Sequence, residues 1–467
     1  LPHPKSFSSK GLPLEQKRRT FLFCGKIKFI KLNLGVLTLR QLADISFFLK
    51  KKKRMSLLSL KQKNKKMKDI KSKPIDSPSP LERAGVRPLG FATKAIHAGQ
   101  EPDPTTGAVM TPIYQTSTYW QKTPGDNKGY EYSRGTNPTR KALEDCLAAL
   151  ENCKYGLAFS SGMGATDAVM KILKPGDEVI TGNDLYGGSY RIFTKVFANY
   201  GIKFHFIDLT NAENVKSYIN ENTKMIWVET PTNPMMQIID IEAVSKISKS
   251  KNIILVVDNT FASPYLQNPT DQGADIVMHS VTKYIGGHSD VVMGALLTNN
   301  EELYKKLWFI YNACGATPGP QDSFLVLRGI KTLHLRMKAH CENGEKIAHF
   351  LKTHPKIEKI YWPGFTDHPN HDIAKKQMRG FGGMISIVLK DADLAETFRV
   401  SGSFKVWTLA ESLGGVESLI NHPASMTHGS IPKEEREKVG VVDNLLRLSV
   451  GVEDVDDLIE DLKNALG

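Results

Sequence analysis

The stretch "HSVTKYIGGHSD" (279–290) sets Lys283 between the hydroxyls of Ser280 and Thr282 and the glycine pair Gly286–Gly287. A lysine just after a strand is usually a solvated loop charge. Here the hydroxyls can bind an anionic group, and the glycines let the backbone come close to something. An amine among phosphate-type ligands suggests a cofactor site. Asp258, at the end of the apolar run "NIILVVD", is a second candidate. It is either a turn cap or a carboxylate held for one cation, because an unpaired buried charge is costly. A protonated pyridine nitrogen is such a cation. A third group is "SSGMG" (160–164), whose backbone N–H groups can face an anion at the start of a helix. It is neither a P-loop, for want of the Lys-Ser/Thr pair, nor a dinucleotide fingerprint, for want of the third glycine.

These clusters need a scaffold that brings them together. From about residue 155 the chain alternates short apolar runs with segments of helical period. "GLAF" (156–159), "DEVIT", "IKFHFIDL", "KMIWVE", "NIILVVD" and "ADIVMH" read as strands; "GMGATDAVMKIL" (162–173), "GSYRIFTKVFANYG" and "IEAVSKISKSK" read as helices. That order predicts an α/β domain with a mostly parallel sheet covered on both faces. Ligands collect at the C-terminal strand ends of such sheets, and "SSGMG", "ETPTNP", "DNTF" and "HSVTK" all fall there. Further on, "IEKIYWP", "GMISIVL", "FKVWTLAESLGG" and "LLRLSVGV" read as strands and "EDVDDLIEDLKNAL" as a closing amphipathic helix, which predicts a smaller α+β C-terminal domain.

The composition narrows the class. At 467 residues the chain exceeds one ordinary core. Five scattered cysteines without a CxxC point to a reducing compartment, the cytoplasm, and away from a disulfide framework or a cysteine-bound metal. No apolar run has the length of a membrane span. The net charge of +13 is local: residues 1–90 carry 23 Lys/Arg against 5 Asp/Glu, and the rest is slightly acidic. That basic segment reads as a disordered or untranslated extension, with Met55 and Met67 as alternative starts; it also fits a transit peptide. A nucleic-acid or membrane-surface role would rest on this extension alone, which lacks interleaved aromatics, so neither partner is expected.

Taken in order, "YEYSRGTNPTR", "SSGMGA", "DLYGGSYRIF", "ETPTNP", "DNTFASPYLQNP", "GADIVMHSVTKYIGGHSDVVMGA", "AESLGGVESLINHPASMTH" and "LLRLSVGVED" resemble the pyridoxal-phosphate-dependent Cys/Met-metabolism (trans-sulfuration) enzymes, from about Phe91 to Gly467. The resemblance implies fold type I, like the aspartate aminotransferases. It implies an arm (91–140) that reaches a neighbouring subunit, a large cofactor-binding domain (141–340) and a small domain (341–467). Pyridoxal 5'-phosphate would be the cofactor, joined to Lys283 as a Schiff base, with no metal. Asp258 would keep the pyridine nitrogen protonated. Tyr186 would stack on the ring and take part in proton transfer. Gly162, Met163, Ser280 and Thr282 would hold the phosphate and Asn233 the ring hydroxyl, while Tyr132 and Arg134 would reach the phosphate from a neighbour in a homotetramer. Arg447, with Ser412 beside it, would clamp the substrate α-carboxylate; Glu411, Glu131 and Arg191 would receive the distal end of an amino-acid substrate.

Within that family the implied reaction is cystathionine γ-lyase chemistry, giving cysteine, 2-oxobutanoate and ammonia; the alternative is cystathionine γ-synthase, which joins O-acyl-homoserine to cysteine. "YGGSYR" lacks the cysteine usual in methionine γ-lyases, and "AESLGGVESL" lacks the tryptophan and tyrosine that β-lyases tend to carry. O-acyl-homoserine sulfhydrylases are generally longer. A non-catalytic relic of the fold would be expected to have lost Lys283, Asp258 or Arg447, and all three are present.

Overall fold

The computed structural model describes residues 89–429 and 431–467, all within the unit Ile75–Gly467; the basic extension lies outside the described residues. Seven short strands form the larger sheet: β1 (Tyr155–Phe159), β2 (Glu178–Gly182), β3 (Lys203–Ile207), β4 (Thr223–Glu229), β5 (Ile254–Asp258), β6 (Ile276–Ser280) and β7 (Gly294–Thr298). Their order is β1-β7-β6-β5-β4-β2-β3. Strands β6, β5, β4, β2 and β3 pair in parallel, and β7 runs antiparallel to both β1 and β6.

Apolar residues face both ways from this sheet because helices cover both sides. On one face Val277, Ala295 and Leu297 pack with Leu143 and Leu147 of the helix Pro138–Leu150 and with Val326 and Leu327 of the helix Pro320–Ile330. On the other, Trp227, Val256 and Met278 pack with Val169, Phe193 and Leu307. Each such fully buried Leu or Val contributes about 1.5–3 kcal/mol relative to an exposed one. The helix Pro138–Leu150 starts where the residue types predict, with Pro138 in the first turn and the Asn137 side chain accepting from Thr139 N and Arg140 N.

The second sheet holds β8 (Ile357–Tyr361), β9 (Met384–Leu389), β10 (Thr408–Leu409), β11 (Leu419–Asn421) and β12 (Leu445–Ser449) in the order β10-β11-β12-β9-β8. The closing helix, Val455–Leu466, buries Leu458, Leu462, Ala465 and Leu466 on one stripe, against a cluster that includes Ile385, Ile387, Leu446 and Leu448.

Three expectations need correction. "FKVWTLAESLGG" is a strand only at Thr408–Leu409, because the Asp461 carboxylate takes the N–H groups of Lys405, Val406 and Trp407 that a ladder would need. The helix of "GSYRIFTKVFANYG" ends at Lys195, and a separate 3-10 turn follows, closed by Gly201 at φ 79°. The helix that starts at Gly162 stops at Met170. Strand β7, the reversed one, was not anticipated.

Candidate active site

Strands β4, β5 and β6 end side by side, and their last residues begin the site. Asp258 closes β5 and is 6% exposed. Its Oδ1 accepts from Thr260 N at 3.0 Å and from Thr260 Oγ1 at 2.5 Å. The same Thr260 hydroxyl accepts the Ser280 N–H at 2.9 Å, so one threonine ties the acid to the hydroxyl wall after β6. Across the ladder Asp258 is in register with Glu229, the last residue of β4. Burial pushes both carboxyls up, the Thr260 bonds opposing this at Asp258 and the Asp258 charge adding to it at Glu229. Among the described residues neither acid is in an ion pair. Two adjacent buried acids without a cation suit a cation delivered by a ligand, and a protonated pyridine nitrogen fits.

Lys283 lies one short turn beyond β6, and its Nζ donates to Ser412 Oγ at 2.8 Å. Burial, with the Arg447 charge second, lowers the ammonium to about 8. At pH 7 roughly one molecule in ten then carries the neutral amine, against roughly three in ten thousand for an ordinary lysine. The glycine pair turns out to admit protein rather than ligand. A Cβ on Gly287, whose φ is 73°, would sit 1.9 Å from Arg336 Nη1, and one on Gly329 would sit 2.4 Å from the Gly286 carbonyl. Arg336, itself buried, donates to the carbonyls of Tyr284 (2.6 Å), Ile285 (3.3 Å) and Gly329 (3.0 Å), and so fixes the turn that follows Lys283.

The helix Gly162–Met170 begins beside Ser280, and its first N–H groups have no partner within the helix. The Ser161 side chain caps Gly164 N at 3.0 Å. A Cβ on Gly162 would lie 3.1 Å from Ser280 Cβ, so the glycine lets this wall close. Gly162 and Ser280 thus meet in one wall, with Met163 the next residue of the helix. The Thr282 hydroxyl is turned to the backbone of Met293, accepting from its N at 2.9 Å and donating to its O at 3.2 Å.

Tyr186 precedes the helix Gly187–Lys195 and is 38% exposed. A Cβ on Gly188 would be 2.3 Å from Tyr186 Cε1, so the ring lies against that glycine. Burial raises the Tyr186 hydroxyl, and the Arg191 charge opposes it. Arg447, on β12 and 2% exposed, donates from Nη1 to Asn233 Oδ1 and from Nη2 to the Ser412 carbonyl, both at 2.9 Å. Its Nε is buried without a partner. Burial lowers this guanidinium to about 10. Ser412 therefore touches both Lys283 and Arg447, and it does so at φ 87°, a left-handed backbone that costs on the order of 1–3 kcal/mol for a non-glycine residue.

The charges of Glu411 and Arg191 act on this cluster from exposed positions. Among the described residues, no hydrogen bond or ion pair joins Glu131, Tyr132 or Arg134 to Lys283. Arg134 lies over the Tyr132 ring at 5.2 Å and donates to Asn312 at 3.4 Å, and Glu131 accepts from Asn127 at 2.8 Å. Thr260, Glu229 and Arg336 were missed from the sequence. Glu229 ends an apolar strand as Asp258 does, and the same rule applied to "ETPTNP" would have found it. A hollow of about 430 Å³ lined by Thr194, Ala198, Ile202 and Phe204 lies at the β3 edge and shares no residue with the cluster.

Residues 92–467 match the sequence model of the family described as Cys/Met metabolism PLP-dependent enzyme. A protein named cystathionine beta-lyase from Coxiella burnetii is 54% identical over 376 residues, 80% of this chain and 97% of its own. One named cystathionine gamma-lyase from Dictyostelium discoideum is 53% identical over 378 residues, with coverage of 80% and 97%. Among solved structures, the cystathionine gamma synthase from Xanthomonas oryzae pv. oryzae in complex with aminoacrylate and cysteine superposes with a TM-score of 0.79 at 42% identity, covering 81% of this chain and 98% of that one. The names span γ-cleavage, β-cleavage and γ-replacement, so the relatives do not single out one of these reactions.

Proposed function

Because the chain belongs to the Cys/Met metabolism PLP-dependent enzyme family and has its type I fold, we propose that it is a cystathionine lyase cleaving at the γ-carbon. The cofactor of the family is pyridoxal 5'-phosphate. When bound, it supplies an electron sink that stabilises negative charge at the α-carbon of an amino-acid substrate.

The chain's own residues supply the rest. In this reading Arg447 receives the α-carboxylate, for which its planar fork and unpartnered Nε are suited. Lys283, with its ammonium lowered to about 8, is placed to take a proton from the α-carbon and return one elsewhere. Ser412 steadies the amine through Oγ and the guanidinium through its carbonyl, keeping base and clamp in one frame. Asp258 would face the ring nitrogen, Tyr186 the ring, Asn233 the ring hydroxyl, and Gly162, Met163 and Ser280 the phosphate; Thr282, whose hydroxyl donates to the Met293 carbonyl, would reach the phosphate only by turning away from that carbonyl. The observation that carries the reading is this joint seat of Lys283 and Arg447 on Ser412.

We further assign Glu131, Tyr132 and Arg134 to the site of a neighbouring subunit in a homotetramer. The exposed Tyr132 (49%), Val109 (83%) and Trp120 (74%) on the same arm support it. Cytoplasmic residence is supported by the unpaired Cys146, Cys153, Cys314 and Cys341; among the described residues no helix is long and apolar enough to cross a membrane.

Two other reactions have specific support: γ-replacement from the synthase structure and β-cleavage from the Coxiella relative. The products separate them. Purified protein given cystathionine should release 2-oxobutanoate with cysteine. Pyruvate with homocysteine would mean β-cleavage, and turnover only of O-acyl-homoserine with cysteine would mean a synthase.

A further inference from the structure

The buried carboxyl of Glu229 has no role in the scheme above, yet it lies between two groups that do. It closes β4 and is 5% exposed. Its two oxygens serve different loops: Oε2 accepts the Tyr186 N–H at 3.0 Å, and Oε1 accepts the Asn233 N–H at 2.9 Å. From Asn233 the contacts continue through Oδ1 to Arg447 Nη1 at 2.9 Å, and through the backbone carbonyl to His428 Nε2 at 3.1 Å. Thr232 donates to Asp184 nearby and stitches the same two loops, but that pair bonds neither Tyr186 nor Asn233.

We propose, resting on the reading above, that Glu229 is a positioning residue: its carboxylate holds the ring-stacking Tyr186 and the Asn233–Arg447 clamp in fixed relation. Both oxygens face N–H donors, so the site wants two acceptors. An amide has one acceptor oxygen and one NH2 group, and Glu229→Gln would set a donor against one of the two backbone donors. Glu229→Asp keeps two acceptors but is one methylene shorter and can serve only one loop well.

The test uses the full chain with pyridoxal 5'-phosphate bound. It compares parent, Glu229→Gln and Glu229→Asp by steady-state kinetics and by visible circular dichroism of the bound cofactor. Glu229→Gln should keep the cofactor but change the dichroic band as the Tyr186 ring moves. Its kcat/KM should fall by about 5- to 150-fold, with KM raised because the clamp is displaced, and Glu229→Asp should recover part of the loss. A dichroic band and KM within twofold of the parent in Glu229→Gln would overturn the proposal, even if kcat fell, since a merely structural loss would move neither. If Glu229→Gln does not fold, Glu229→Asp decides by the same two readouts. Should the parent turn over neither cystathionine nor O-acyl-homoserine, the proposed reaction falls, while the dichroic band still judges Glu229.

Discussion

Replacing Arg447 with lysine keeps the charge and removes the planar fork. In the structure the guanidinium meets Asn233 Oδ1 and the Ser412 carbonyl at 2.9 Å each and keeps Nε free of protein partners. A single ammonium on a shorter reach cannot meet both oxygens and also receive a carboxylate side-on. Each buried acceptor left unpaired costs about 1–3 kcal/mol, and losing one partner of a desolvated charge pair costs about 2–5 kcal/mol. The kcat/KM of Arg447→Lys on its best substrate should therefore fall by roughly 30- to several-thousand-fold, and that of Arg447→Ala further. The bound-cofactor absorbance should remain, since Asp258, Lys283 and the Gly162–Ser280 wall are untouched. The assay is steady-state turnover of cystathionine and of O-acyl-homoserine with cysteine, beside the visible spectrum. Arg447→Lys turning over either substrate as well as the parent would refute the carboxylate clamp. Loss of the cofactor would show instead that Arg447 belongs to its binding site.

Lys283 stands near 8 because burial and the Arg447 charge disfavour its ammonium; cofactor uptake by the cofactor-free protein, which needs the neutral amine, should quicken as pH rises through about 8 and level off above it. A stopped-flow absorbance rate that is flat from about pH 7 to 9 would contradict this. Gly188→Ala would place a Cβ 2.3 Å from Tyr186 Cε1, so the ring must swing away; kcat/KM should drop roughly tenfold to a hundredfold with the fold intact, and unchanged kinetics would count against Tyr186. Mixing inactive Arg134→Ala and Lys283→Ala subunits should restore part of the activity, because some hybrid sites combine both intact groups. Proven subunit exchange without recovery would rule out a shared site.

The parts of the candidate site that the residue pattern itself announced lie in short motifs at strand ends, whereas Tyr186, Asn233, Ser412 and Arg447, the last inside β12, came only with the family resemblance. Lys283, Asp258 and the Gly162 turn each follow an apolar run whose direction the alternating pattern fixes. What stayed hidden depends on partners far along the chain: Glu229 meets Tyr186 43 residues away, and Arg336 meets Tyr284 across 52 residues. Gly287 shows the same limit. Its type announced a close approach, but only packing could show that the approaching group is the Arg336 guanidinium. Strand β7 was missed because its five residues follow a loop and run against the parallel pattern. The lost strand in "FKVWTLAESLGG" had apolar residues in plenty, but its donors were claimed by Asp461, some 55 residues later.

The central claim is that Lys283 carries the cofactor. Treating the cofactor-loaded protein with borohydride, digesting it and reading the modified peptide by mass spectrometry tests this most directly. The account predicts a pyridoxyl group on the peptide containing Lys283, and none there in Lys283→Ala. A label on another lysine, or a colourless protein that takes up no added pyridoxal 5'-phosphate, would contradict it.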